Sequence, residues 1–347
     1  MQTRTGKTTS ISTSPFRFSV APMMNYTDRH FRVIMREISK HCLLYTEMIV
    51  AHALTHCQKE DQIRKIKRLD RLVGFSACEK PISLQVGGDD PLLLAEAARL
   101  ATRWQYDEIN LNVGCPSNNV QKGHFGACLM AEPAHVARCV NAMVQETHIP
   151  VTVKHRIGID HKDSYEQLLN FIDEVASAGA NRFSIHARKA WLSGLDPKEN
   201  RMVPPLNHSI VRRLKNDRPH LLIELNGGLT NLRDCQNALS WADGVMVGRK
   251  VYENPLYWKE LDRLLFNDQT NSDTRPSAIL LRLYPYAKVW YETGGRIWPI
   301  ARHIVHLVQG IKGARHWRRW FTEVASNYSA SPQLFLHAAI QLEDVGY

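Results

Sequence analysis

Residues 108–117 read Glu-Ile-Asn-Leu-Asn-Val-Gly-Cys-Pro-Ser. Apolar side chains alternate with polar ones as far as Val113, the period of a strand with two different faces. The run breaks at Gly114 and leaves a thiol, Cys115, held against Pro116. In a barrel of parallel strands, the carboxyl ends of the strands face the active site. Cys115, flanked by Asn112 and Gly114, is the most chemical-looking group of the chain, with a nucleophile as its default role.

On either side of this run the chain repeats one pattern. Strands are expected at residues 18–23, 43–50, 82–86, 151–155, 182–186, 221–225 and 244–247. Helices are expected between the later ones. One opens at Asp89-Asp90-Pro91, where the acids offer caps and proline suits the first turn. Others begin at Glu132-Pro133 and near Asp163, the latter ending at Gly179, a C-cap signal. Further helices are expected at 207–215, at 232–241 and after Asn254-Pro255. Eight short strands alternating with helices fit an α/β fold of the (β/α)8 TIM-barrel type over residues 16–266. A doubly wound open sheet is the alternative. It lacks its usual glycine fingerprint, because Pro22-Met23-Met24-Asn25 follows the first strand.

Residues 1–15, rich in Ser and Thr without an apolar core, read as a disordered tail and not as a secretory signal. Residues 267–275 read as a linker. Residues 276–347 show only helical patterns and read as a helical second domain. Between Gly294 and Thr322 there are six Arg or Lys and no acid, with Trp298, Trp317, Trp320 and Phe321 interleaved. A basic stripe with aromatics fits a nucleic-acid surface; the alternative is that the aromatics form the helical core and the charges are solvated.

The 347-residue chain carries a formal net charge of +10, which favours a polyanionic partner, nucleic acid first and membrane surface second. No apolar run is long enough to cross a bilayer, so no membrane span is expected. Seven cysteines without a Cys-x-x-Cys pair disfavour zinc ribbons, and reduced thiols in a cytoplasmic protein are the expectation. His52 and His56, four apart and followed by Cys57, have no acidic third ligand nearby, so no metal site is expected.

Polar groups collect at the strand ends: Pro22 and Met23, Gln85, Asn112 and Cys115, Lys154, His186, then Asn226-Gly227-Gly228 and Gly248-Arg249. The last two are glycine turns after strands seven and eight, where barrels commonly bind phosphate through bared backbone N–H groups. Arg249 adds a charge-assisted bond. Tight-turn geometry alone is the plainer explanation. Lys154 suits a Schiff-base amine or a cation beside a cofactor, and His186 a base or a cofactor contact. Each also suits a satisfied interior polar group.

Ala-Pro-Met-Met-Asn-Tyr-Thr-Asp from Ala21, Leu-Gln-Val-Gly-Gly from Leu84, Asn-Leu-Asn-Val-Gly-Cys-Pro-Ser from Asn110, Val-Lys-His-Arg-Ile-Gly from Val153, Asn-Gly-Gly and Val-Gly-Arg stand in an order that resembles the flavin-dependent tRNA-dihydrouridine synthases. The resemblance runs from Phe18 to the C-terminal helices. His-Ala-Arg-Lys-Ala-Trp from His186 resembles the A subfamily, which acts at tRNA nucleotides 20 and 20a.

The resemblance implies FMN at the barrel mouth, its phosphate on Asn226-Gly227-Gly228 and Gly248-Arg249. Pro22, Met23, Met24, Gln85, Lys154 and His186 would surround its ring and ribityl chain. It implies NADPH as the reductant, hydride from flavin N5 to C6 of a uracil, and a proton from Cys115 to C5. For that role Cys115 must be a thiol, which a dry pocket favours. Asn112 would bond the uracil edge. Lys198, Arg201, Arg315 and Arg318 would contact the tRNA, whose base is drawn out of its stack. Two other readings remain at this point: a flavin barrel acting on a free pyrimidine, as dihydroorotate dehydrogenases do, and a non-catalytic tRNA-binding protein.

Overall fold

A computed structural model describes residues 14–56, 62–270 and 273–347. The expected tail, apart from its last two residues, lies outside the described residues, as do Cys57 and the side chain of His56.

The chain closes a barrel of parallel strands. β1 (Phe18–Val20), β2 (Leu43–Tyr45), β3 (Ile49–Val50), β4 (Ile82–Gly87), β5 (Glu108–Val113), β6 (Val151–Arg156), β7 (Arg182–His186), β8 (Leu222–Asn226) and β9 (Gly244–Val247) follow in chain order. β1 pairs with both β2 and β9, and β2 pairs with β4, so the ring has no free edge. β2 and β3 together make one stave, which leaves eight, as expected. The single strand expected over 43–50 is broken at Thr46, whose hydroxyl accepts the Gln85 N–H at 3.0 Å in place of a backbone carbonyl.

The helices start where the sequence offers caps. Asp90 accepts from Leu92 N–H ahead of Pro91–Arg103. Ser164 and Gln167 form a capping box ahead of Tyr165–Ser177. Helices Arg29–Arg36, Ala51–His56 and Gln62–Val73 were not legible in the pattern.

Alternation along β5 decides what faces where. Ile109, Leu111 and Val113 are buried in the apolar layer between strands and helices. Glu108, Asn110 and Asn112 point into the barrel, which is polar along its axis. At its floor Glu108 accepts from Tyr45, Ser83 and Thr152 at 2.8–2.9 Å and pairs with Arg182, which also reaches Glu224 at 3.4 Å. Such buried charges persist because they are paired and fully hydrogen-bonded.

Four helices follow the barrel: Pro276–Glu292, Trp298–Ile304, Ala314–Ser326 and Gln333–Glu343. Their apolar faces join the outer barrel layer in one contiguous core that includes Trp258, Ile300, Phe321 and Phe335. Polar groups lock this junction. Asp28, the cap of Arg29–Arg36, accepts from Arg302 at 2.5 Å and meets His303 at 3.0 Å. His30 Nδ1 lies 2.7 Å from the Tyr286 hydroxyl.

Candidate active site at the carboxyl end of the barrel

The turn after β5 is built around Asn112. Its Oδ1 accepts the N–H groups of Gly114 and Cys115, each at 3.0 Å, and its Nδ2 donates to Gln85 Oε1 at 3.0 Å. Gln85 Nε2 donates in turn to Asn110 Oδ1 at 2.9 Å. Asn112 and Gln85, expected as contacts to a base and a flavin, therefore spend most of their bonding capacity on each other and on the Cys115 turn. The Cys115 carbonyl accepts from Ala127 N–H at 2.9 Å. Its thiol is half-buried.

Opposite Asn112 in the β5–β6 register stands Lys154, and on the next two strands round, β7 and β8, stand His186 and Asn226, paired with each other. Burial pulls the Lys154 ammonium down to about 8, and Arg156 adds to the effect. Burial first, and then the charges of Arg156 and Lys154, keep the His186 imidazole well below its ordinary range, hence neutral. His186 Nδ1 is buried and has no hydrogen-bond partner among the described residues. The buried Nε of Arg201 is in the same state. Burial and the charge of Arg249 both lower the Arg201 guanidinium. Lys154, Arg188, Arg201 and Arg249 form no ion pair among the described residues. Lys154, Arg156 and Arg201 all lie within electrostatic reach of Cys115.

The turns after β8 and β9 complete the mouth. Gly227 and Gly228 have φ of +97° and +77°, a conformation open mainly to glycine. A Cβ on Gly228 would lie 2.5 Å from Leu206 Cδ1, and one on Gly227 would lie 3.2 Å from the His186 ring. Asn226 Nδ2 donates to the Met246 carbonyl at 2.7 Å and ties the two turns together. Arg249 is exposed and opens the short helix Arg249–Glu253. From the β1 side, the sulfur of Met23 packs towards Gly248. Pro22 is half-buried beside it and Met24 is exposed.

A neutral histidine with an unsatisfied buried nitrogen, unpaired cations and a glycine cradle suit an anionic, ring-bearing ligand whose oxygens take up these donors.

Other expected residues lie elsewhere. Lys198 is exposed on the loop after β7, its backbone N–H capped by Asp196 at 2.6 Å. Arg315 is exposed on Ala314–Ser326, whereas Arg318 is half-buried and donates to Gln309 Oε1 at 2.9 Å. Trp317 and Phe321 stack at 4.7 Å inside the helical layer, so these aromatics belong to a core and not to a base-stacking surface. His41, Asp262 and Asp268 gather at the opposite end of the barrel, where Ser39 and the Lys40 N–H already bond Asp262. Arg156 and Gln121, which hold the backbone on both sides of Cys115, carry no signal in the sequence pattern.

Comparison with known proteins agrees with this architecture. The model of the family described as Dihydrouridine synthase (Dus) matches residues 19–342. A tRNA-dihydrouridine(20/20a) synthase of Synechocystis sp. is 52% identical over 325 residues, 94% of each chain. Proteins of the same name from Shewanella oneidensis and Escherichia coli are 49% and 47% identical, covering 90% and 93% of this chain and 90% of their own. A solved complex of 2-naphthoyl-CoA reductase shares the fold at a TM-score of 0.54 and 11% identity, over 73% of this chain and 50% of that one.

Proposed function

The chain belongs to the dihydrouridine synthase family, and from that premise we propose that it reduces uridine to 5,6-dihydrouridine in the D-loop of tRNA, at nucleotides 20 and 20a. The observation that carries this reading is the mouth of the barrel. That mouth holds a thiol just beyond a strand end, cations that form no ion pair among the described residues, a neutral histidine and a pair of glycine turns.

FMN is the cofactor this site fits. Gly227, Gly228 and Gly248 present backbone to its phosphate, with Asn226 fixing the turns and Arg249 adding charge. Lys154 and His186 would hold its ring and ribityl oxygens, and Gln85, Pro22, Met23 and Met24 would complete its surroundings. When bound, the cofactor would supply the hydride for C6 of the uracil from its N5, with NADPH as its reductant.

The chain's own residues do the rest. Cys115 delivers the proton to C5 as general acid. Asn112 fixes the turn that carries the thiol and has one amide hydrogen left for the uracil edge. Arg201 offers its unpartnered Nε to substrate oxygens that gain charge as hydride arrives. Lys198, Arg315 and Arg318 contact the RNA backbone, with residues 276–347 acting as a tRNA-binding domain beside the barrel of 16–266. A cytoplasmic location follows from that substrate. No helix among the described residues is long and apolar enough to cross a membrane.

The test is turnover by the purified protein with FMN, NADPH and unmodified tRNA, against free uracil and orotate. Reduction of tRNA alone is expected. Cys115→Ala should retain flavin reduction by NADPH and lose reduction of tRNA by at least 100-fold, on the scale of a missing general acid. Reduction of free pyrimidine, or full activity of the variant, contradicts the reading.

A further inference from the structure

Arg156 closes β6 and is only 4% exposed, yet it has no carboxylate partner among the described residues. Burial lowers its guanidinium to about 10, so it remains charged at neutral pH. All its bonds go to backbone carbonyls. Nε donates to Gly114 O at 2.9 Å, and Nη1 donates to Lys189 O at 3.1 Å and Asn200 O at 2.9 Å. One residue therefore joins the turn before Cys115 to two points, eleven residues apart, on the loop that follows β7.

Gln121 repeats the arrangement on the other side of the thiol. Its Nε2 donates to Pro116 O and to Leu192 O, each at 2.8 Å. The carbonyls that flank Cys115, those of Gly114 and Pro116, are thus both tied to the same loop. That loop is stiff in itself. Asn200 is fully buried, accepts from Trp191 N–H at 2.8 Å, and donates to Trp191 O and Leu195 O at 2.9 and 3.1 Å. Lys198 and Arg201 stand at its end. Gly114 permits the close approach: a Cβ there would lie 3.3 Å from the His155 backbone.

We propose that Arg156 and Gln121 are positioning residues, a double clasp that fixes the Cys115 thiol relative to the loop bearing Lys198 and Arg201. This rests on the reading of Cys115 as proton donor to a uracil. A thiol free to drift by an ångström from C5 loses rate at the proton-transfer step alone. Flavin reduction is expected to change little, because Gln121 bonds only Pro116 and Leu192 and a lysine at position 156 keeps the positive charge beside Lys154 and His186.

The test uses the full chain and three variants: Gln121→Ala, Arg156→Lys and the pair. Lysine keeps the charge and cannot fork across three carbonyls. NADPH-driven flavin reduction should stay within twofold in every variant. The kcat for tRNA should fall about 10-fold for Gln121→Ala and about 100-fold for Arg156→Lys, with KM changing less than threefold. The pair should lose less than the product of the two, since both hold one joint. Equal losses in flavin and tRNA reduction, or an undiminished tRNA kcat in Gln121→Ala, overturn the proposal. A second measurement needs neither activity nor a variant. In the unaltered protein, the Cys115 and Trp191 N–H groups should exchange with one common opening free energy. Two distinct opening energies overturn the clasp. If the unaltered protein leaves tRNA unreduced, the functional reading falls, and the exchange measurement still decides the clasp.

Discussion

Lys154 forms no ion pair among the described residues, and the charge of Glu224 offsets burial and the charge of Arg156 only in part, so the ligand-free chain carries a buried charge at a cost. Its pKa is about 8 when folded against an ordinary 10.5. Between those values the unfolded chain binds more protons, so stability rises with pH through that window, and the full cost is present below it. The cost is on the order of 3 kcal/mol. Lys154→Met should therefore melt at a higher temperature than the parent at pH 7 without flavin, and the gap should close as the pH rises from 8 towards about 10. A gap that stays constant would mean the ammonium is already solvated. At this scale the sequence was informative about Cys115, Lys154 and His186, because polar groups at strand ends stand out against apolar alternation. Arg156 lies on the same face as Lys154 and was hidden for a physical reason: its partners are carbonyls 33 to 44 residues away, and backbone acceptors leave no trace in composition.

Helix Arg29–Arg36 shows why some elements escaped notice. Its buried face includes His30 and Arg32, which are satisfied by Tyr286 and by Glu79 at 2.7 Å. A periodic search for apolar residues misses a face whose polar members are paired from distant segments. The break at Thr46 was invisible likewise, since a hydroxyl replaced one ladder carbonyl. The cap of Arg29–Arg36 also carries the junction with the C-terminal helices. Burial would raise the Asp28 carboxyl, but its bond to His303 and the nearby positive charge hold it well below the usual carboxylate range. Its contribution is present above about pH 4 and is lost as the pH falls below that. Asp28→Asn keeps an oxygen for the Phe31 N–H and removes the charge from Arg302 and His303. It should cost about 2–4 kcal/mol at pH 7 and much less at pH 2, with the helix content retained in circular dichroism. An equal cost at both pH values would place the effect in the cap.

Across the whole molecule, the barrel and the trailing helices were legible because their periods differ, two against 3.6. The interleaved tryptophans were ambiguous, because a helix needs large apolar residues for its core whether or not RNA lies near. The structure places Trp317 and Phe321 inside. What remains for RNA is the net charge of +10 and its distribution. Lys312, Arg315 and Arg319 are exposed on and just before one helix, while Arg318 is drawn back to Gln309. Arg315→Ala should therefore lower the slope of log affinity against log salt by about 1, as for one lost phosphate contact, and Arg318→Ala should change it less. An unchanged slope for Arg315→Ala would turn that face of the helix towards solvent in the complex.

The most direct measurement is a map of dihydrouridine in tRNA from cells that lack this protein, before and after it is supplied again. Dihydrouridine at nucleotides 20 and 20a should be missing, should return with the unaltered chain, and should stay missing with Cys115→Ala. Dihydrouridine that persists without the protein, or that Cys115→Ala restores, would contradict the assignment of this barrel and this thiol to the reduction of tRNA uridine.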